Sequence, residues 1–184
     1  MFYEVLEKSK INKKVIGISL YGDVGFYCGV VLDYSDDVIQ LQQYTKYGQN
    51  DGVTLQIISE IERIDFNDSF TNTIEFLAKN QEALHATNYI NKFYSDLDDE
   101  DWQNQVLDLY LKERKVMLSL QINNDDYYQG FVEAKNELTF SFRCIGDLGE
   151  DKGLAIFKIE DVSSIKIDDF ECRKRLLLYN KKHR

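Results

Sequence analysis

The run VIGISL at 15–20 returns as VMLSL at 116–120, and the correspondence holds for about fifty residues beyond it. Ile18, Ser19 and Leu20 stand opposite Leu118, Ser119 and Leu120 at an offset of 100. One extra residue in INNDDYY then moves the offset to 101, so that Gly29 meets Gly130 and Val31 meets Val132. The glycine pair of YGQNDGV, Gly48 and Gly52, falls on Gly149 and Gly153 of LGEDKGL. Farther on, Ile61, Ile64 and Phe66 fall on Val162, Ile165 and Ile167. An ordered series with one single-residue gap is the mark of an internal repeat, read here as a tandem duplication, and it restricts the chain to folds that can be made twice from half its length.

Each copy reads as five short strands. VMLSLQI sets Val116, Leu118, Leu120 and Ile122 against Met117, Ser119 and Gln121, the period of two that buries one strand face. The second strand carries Gly29 or Gly130, where the backbone bends or another chain segment comes close. DDVIQLQQY and NELTFSFRC open on Asn or Asp turn chemistry, and the glycine pair bounds the next loop. VTLQIIS with IERIDF, and LAIFKI with VSSIKID, complete the sets. Five strands this short predict a small barrel that curls to bury one face on itself.

Helical stripes flank the copies. Trp102, Val106, Leu109 and Tyr110 share a face after a capping Asp98 or Asp99, and Phe2, Val5 and Leu6 form a shorter version. Between the copies, Ile74, Leu77 and Ala78 make one stripe, and Ala86, Tyr89, Ile90 and Phe93 another out of phase with it. This predicts a helical linker over 68–97, as a kinked helix or as two helices, a first domain at 1–67 and a second at 98–184 that ends in a basic helix seamed by Phe170, Leu177 and Leu178.

Composition narrows the class. The 184 residues are 43% hydrophobic and 13% aromatic, with twelve Tyr and eleven Phe, which suits packed strands. Proline is absent, so turns rest on Gly, Asn and Asp. Cys28, Cys144 and Cys172 are odd in number and far apart, which argues against a disulfide framework or zinc site. The start MFYEVLEKSK has no signal-peptide pattern and no apolar run reaches membrane-spanning length, so the expected compartment is the cytoplasm. Net charge is −10, yet the last thirteen residues, CRKRLLLYNKKHR, hold six basic side chains and no acid. The other 171 residues carry 16 basic and 32 acidic side chains, a net of −16, so the body repels phosphate while the tail attracts it.

A helix, five strands, a glycine in the second strand and the motif GVVLDYSDDVIQL at 29–41 together resemble the Sm and Sm-like family. The resemblance spans both copies and implies two tandem Sm-like barrels. It departs from the family at the RNA pocket. The base-contacting Asn is replaced by Ile39 or Gln40, and by Thr139 in the second copy. The Arg-Gly pair of the second signature gives way to the Gly-x-x-x-Gly loop. No uridine-pocket residue is carried over.

No catalytic constellation, metal set or cofactor motif stands out. The glycine loop lacks the Lys-Ser or Lys-Thr of a phosphate-binding loop. DLDDED at 96–101 has Asp101 and Leu107 where a calcium loop needs glycine and glutamate. Cys28 has no histidine partner in sequence, since His85 lies on the linker and His183 in the tail, and the pairs Asp36–Asp37, Asp125–Asp126 and Asp168–Asp169 read as solvated caps. The expectation is a non-enzymatic interaction module that offers strand edges and the loop residues Tyr47, Gly48, Asp51, Gly52, Gly149 and Gly153 to a protein partner. A symmetric homo-oligomer is another way to pair such edges. The alternative is RNA or DNA binding through Arg173, Lys174, Arg175, Lys181, Lys182 and Arg184.

Overall fold

The computed structural model describes residues 1–88, 101–125 and 127–183. The chain divides into two compact units, Met1–Gln81 and Glu82–Arg184.

In the first unit, α1 (Phe2–Asn12) ends where Lys13 turns left-handed at φ 52°, and five strands follow: β1 (Ile16–Leu20), β2 (Phe26–Tyr34), β3 (Val38–Tyr44), β4 (Asn50–Ile57) and β5 (Ile61–Phe66). They form one antiparallel sheet in the order β4-β3-β2-β1-β5. The unit then closes with α2 (Ser69–Lys79) and enters the short α3 (Gln81–His85). In the second unit, α4 (Trp102–Leu109) precedes β6 (Leu118–Ile122), β7 (Tyr127–Lys135), β8 (Thr139–Ile145), β9 (Asp151–Lys158) and β10 (Val162–Ile167), with α5 (Phe170–Lys182) last. Its sheet runs β10-β6-β7-β8-β9, the same order read from the other end.

Neither sheet closes into a barrel, contrary to the expectation. Among the described residues β4 pairs only with β3 and β5 only with β1, and β9 and β10 are likewise the free ends of the second sheet. The reason lies in adjacent apolar residues. In the strands, Val30 and Val31 point to opposite faces, as do Phe131 and Val132, and the buried pairs Val15–Ile16 and Met117–Leu118 do the same at the start of β1 and β6. Both faces therefore need cover. Leu6 of α1 packs with Ile16, Ile18, Val31, Ile39 and Leu41, while Ile74 of α2 packs on the far face with Val15, Cys28 and Val30. In the second unit Val106 and Leu107 of α4 take the first face, and Cys172 and Leu176 of α5 take the other with Met117, Phe131 and Ile145. A sheet covered by a helix on each side has no need to wrap on itself.

The expected helical linker is corrected for the same reason. Residues 69–79, with their stripe of Ile74, Leu77 and Ala78, are the covering helix of the first sheet, and α3 ends before Ala86. Tyr89, Ile90 and Phe93 lie outside the described residues, as do Asp98 and Asp99, proposed to cap α4. Both covering helices start alike. A left-handed residue, Asn67 or Asp168, turns the chain, and the following aspartate caps the helix. Asp68 accepts from the Phe70 and Thr71 amides at 2.7 and 3.0 Å, and Asp169 from the Cys172 amide at 2.7 Å.

The ladders also move the internal alignment of the first strand. Ile16 pairs with Gly29 and Phe66, and Leu118 with Gly130 and Ile167, so β1 and β6 correspond at an offset of 102. The sequence match at 100 is a slip of two residues. Such a slip leaves every side chain on its own face, so alternation alone cannot detect it.

The paired glycines have two separate duties. Gly48 and Gly149, at φ 71° and 73°, are buried where the covering helix crosses the loop. A Cβ on Gly149 would lie 2.5 Å from the Tyr179 nitrogen, and one on Gly48 would clash with the Ala78 nitrogen. Gly52 and Gly153, at φ 88° and 90°, face open space. Gly153→Ala therefore meets only left-handed backbone strain, about 1 kcal/mol, whereas Gly149→Ala adds a collision with a helix backbone and is expected to cost about 3 kcal/mol or more. Urea midpoints of the two variants in the full chain test this, and equal losses would refute it.

Candidate functional site

The sheet edges gather the features most suited to recognition. In β4, Val53, Leu55 and Ile57 face outward, with Leu55 66% exposed. They sit across from Gln42, Gln40 and Val38 of β3, on the sheet face that α2 covers only in part. In β9, Leu154 and Ile156 repeat the arrangement across from Arg143 and Ser141, with Ile156 76% exposed. The inward positions of β4 are Thr54 and Gln56, both half-buried. Alternation is intact on this strand, but its apolar side is the wet one. The rule that apolar residues face the core hid these residues from the sequence reading; the polar Thr54 and Gln56 between them were the available signal.

The predicted loop residues separate into two groups. Gly48 and Gly149 are buried seats for helices, and Tyr47 is half-buried, with its carbonyl accepting from Gln81 Nε2 at 2.9 Å and the Lys46 amine 4.9 Å from its ring. Asp51 and Gly52 are exposed at the start of β4, and Gly153 holds the same place in β9. Their turns are fixed by an Asn50 or Asp151 carboxamide or carboxylate oxygen, which accepts from the Gly52 amide at 2.9 Å and the Gly153 amide at 2.8 Å. Asp51, Gly52 and Gly153 thus lead directly into the apolar edges.

The basic helix is largely occupied within its own unit. Arg173 donates to the Leu84 and Asp168 carbonyls at 2.9 and 2.5 Å, and buried Lys174 pairs with Glu171 at 2.7 Å. Arg175 reaches Glu171 at 3.1 Å, the Ile145 carbonyl at 2.6 Å and the Asp147 carboxylate. Lys181 and Lys182 are exposed at the helix end, and Arg184 lies outside the described residues. Of the expected seam Phe170, Leu177 and Leu178, Leu178 is buried against Gly149 while Phe170 and Leu177 are half-buried, and Cys172, Leu176 and half-buried Tyr179 pack on the sheet.

The cysteines, histidines and paired aspartates are placed as follows. The Cys28 thiol is pushed up to about 12 by burial and then by Asp68, and burial also raises Cys172. Neither is primed as a nucleophile. His85 packs on Phe170 with ring centres 5.2 Å apart, and His183 stacks on Tyr179 at 4.1 Å. Asp169 is the helix cap expected of it, but Asp168 is buried, with Oδ2 accepting from the Asn88 amide at 2.8 Å and Oδ1 lacking a partner among the described residues. Asp36, Asp37 and Asp125 are exposed, and Asp126 lies outside the described residues, as do residues 96–100 of the calcium-like run. No group of three or more His, Cys, Asp or Glu positioned to hold a metal occurs among the described residues. No helix among them is long and apolar enough to cross a membrane.

Compared with protein-family profiles, curated proteins and solved structures, the chain matches none.

The ion cluster at α5 sets a pH dependence. Burial alone would raise the Glu171 carboxyl, but hydrogen bonds and charge from Lys174 and Arg175 hold it below the usual glutamate range. A carboxylate depressed on folding stabilises the folded state above its unfolded pKa, and that contribution is lost as pH falls through the folded value. Glu171→Gln is therefore expected to lower the urea midpoint near neutrality, with the gap to wild type narrowing below about pH 4.3. A gap independent of pH would refute the assignment.

Proposed function

We propose that this chain is a non-enzymatic interaction protein made of two copies of one open five-stranded module, and that β4 and β9 each accept an extended strand from a protein partner. The observation that carries this reading is the coincidence of two features on both strands. Each has one edge without a ladder partner among the described residues, and each turns apolar side chains outward, Val53, Leu55 and Ile57 in one and Leu154 and Ile156 in the other. An added strand satisfies the unpaired backbone groups, and alternate side chains of the partner cover the apolar strip. Edges of this kind are usually blunted by lysine, proline or a covering segment. The acidic body and the inward engagement of Arg173, Lys174 and Arg175 favour a protein over a polyanion.

The test compares wild type with the double variant Leu55→Lys, Ile156→Lys as baits in native lysate, with and without nuclease. Both positions are exposed, so folding stability should change by less than about 0.5 kcal/mol. The expected outcome is a set of captured proteins that survives nuclease and falls at least tenfold with the double variant. Capture that vanishes with nuclease points to nucleic acid and overturns the reading, as does capture indifferent to both lysines.

A further inference from the structure

The first unit contains a cleft of about 300 Å³ between α2 and the sheet. Its apolar walls are Val15, Val30, Leu32, Tyr44 and Ala78. The second unit shows what occupies this space when the packing is complete. The strand ladders put Val30 across from Gln42 and Phe131 across from Arg143. The helix seats put Gly48 under Leu77 and Ala78, and Gly149 under Leu178 and Tyr179. Phe131 and Tyr179 thus correspond to Val30 and Ala78, and in the second unit their rings pack with centres 5.7 Å apart. The Arg114 guanidinium lies 5.0 Å from the Phe131 ring. The first unit has Val30 and Ala78 at the places of the two rings, with Tyr44 at the place of Ile145, and the cleft lies among them.

The polar surroundings differ as well. In the second unit Arg143 ties Glu133 to Asp151, at 2.5 and 2.7 Å, across this face. The corresponding residues of the first unit are Leu32, Gln42 and Asn50, and none is charged. Gln42 instead donates to Asn50 and to the Gly52 carbonyl, at 2.5 and 2.8 Å. Glu75, in place of Leu176, borders the cleft and is held ionised by Lys79 at 2.6 Å and Lys14 at 3.2 Å. Lys13 lines the cleft as well.

We infer that this cleft is a binding site for one aromatic side chain, of phenylalanine or tyrosine type, presented by a partner polypeptide. An aromatic ring fits because two rings fill the corresponding position in the other unit, and the lining cation Lys13 adds attraction to its face. The choice of a polypeptide source rests on the strand-addition reading. Gln42 at the cleft sits directly across from Val53 of the apolar edge, so a strand added to β4 lies one strand beyond the cleft on the same sheet face.

The experiment titrates methyl-labelled full-length protein with p-cresol, N-acetyl-tyrosinamide and N-acetyl-leucinamide, followed by NMR. Saturable ring-current shifts of Val15, Val30 and Leu32 are expected with the first two probes and not with the third. Ala78→Tyr, alone or with Val30→Phe, is expected to weaken ring binding at least tenfold and to raise the thermal midpoint. Leu55→Lys should leave ring binding unchanged, which keeps the fate of the cleft separate from that of the edge. Absent shifts, shifts centred on Val53 and Leu55, or undiminished binding in a folded Ala78→Tyr variant would each overturn the site. If the filled variants do not fold, the wild-type shift map decides alone. Binding of p-cresol with exclusion of N-acetyl-tyrosinamide would overturn the polypeptide source.

Discussion

Each unit depends on the seating of one helix backbone against one loop glycine. Gly48 lies under Leu77 and Ala78, Gly149 under Leu178 and Tyr179, and a single added carbon at either place would push the helix away. That contact lets Leu77 and Leu178 become fully buried, a transfer worth about 2 kcal/mol for each side chain. It also covers the sheet face that α1 or α4 leaves uncovered. Remove the seat and Val15, Cys28 and Val30, or Met117 and Phe131, lose their cover. The openness of the sheets follows from this contact, because a face covered by a helix exerts no drive toward closure.

Much of the fold was legible in the sequence. The strands could be read because alternation at Val116, Leu118 and Leu120 survives any error in alignment, and the turns because Asn, Asp and Gly had no proline to share their work. The helix stripe at Ile74, Leu77 and Ala78 was visible too, but its assignment to a linker was not corrected by anything in that stripe. What would have corrected it is the doublets Val15–Ile16, Val30–Val31, Met117–Leu118 and Phe131–Val132. Two adjacent apolar residues on a strand load both faces, and a strand loaded on both faces predicts cover on both sides rather than a curl. The register of β1 was beyond reach for a different reason: a slip of two leaves the face pattern unchanged, and only the strand partner, Gly29 or Gly130, distinguishes the alternatives.

The candidate site was less legible. The loop glycines were correctly singled out as recurring, yet recurrence reflected helix seating at Gly48 and Gly149 rather than an exposed surface. The basic tail looked like an exposed cationic patch because linear spacing cannot show that Arg173 and Arg175 reach backbone carbonyls of their own unit. The outward side of β4 and the cleft beside it were invisible because both depend on what a side chain lacks. Val30 and Ala78 are ordinary residues until the second unit shows an aromatic pair, Phe131 and Tyr179, at the corresponding positions.

The free edges carry a further consequence for colloidal behaviour. Strands that keep Leu55 and Ile156 in water can stack with identical strands of other molecules, β4 more readily than β9, whose ends carry Lys152 and Lys158. Mutual repulsion from a net charge of −10 opposes that encounter, so acidity acts as a gatekeeper for the assembly of like chains. Near the isoelectric point, about 4.7, that barrier vanishes while the edges stay sticky. On the strand-addition reading, the acidic residues of the body oppose contact between like chains and leave the edges for a partner of opposite or neutral charge.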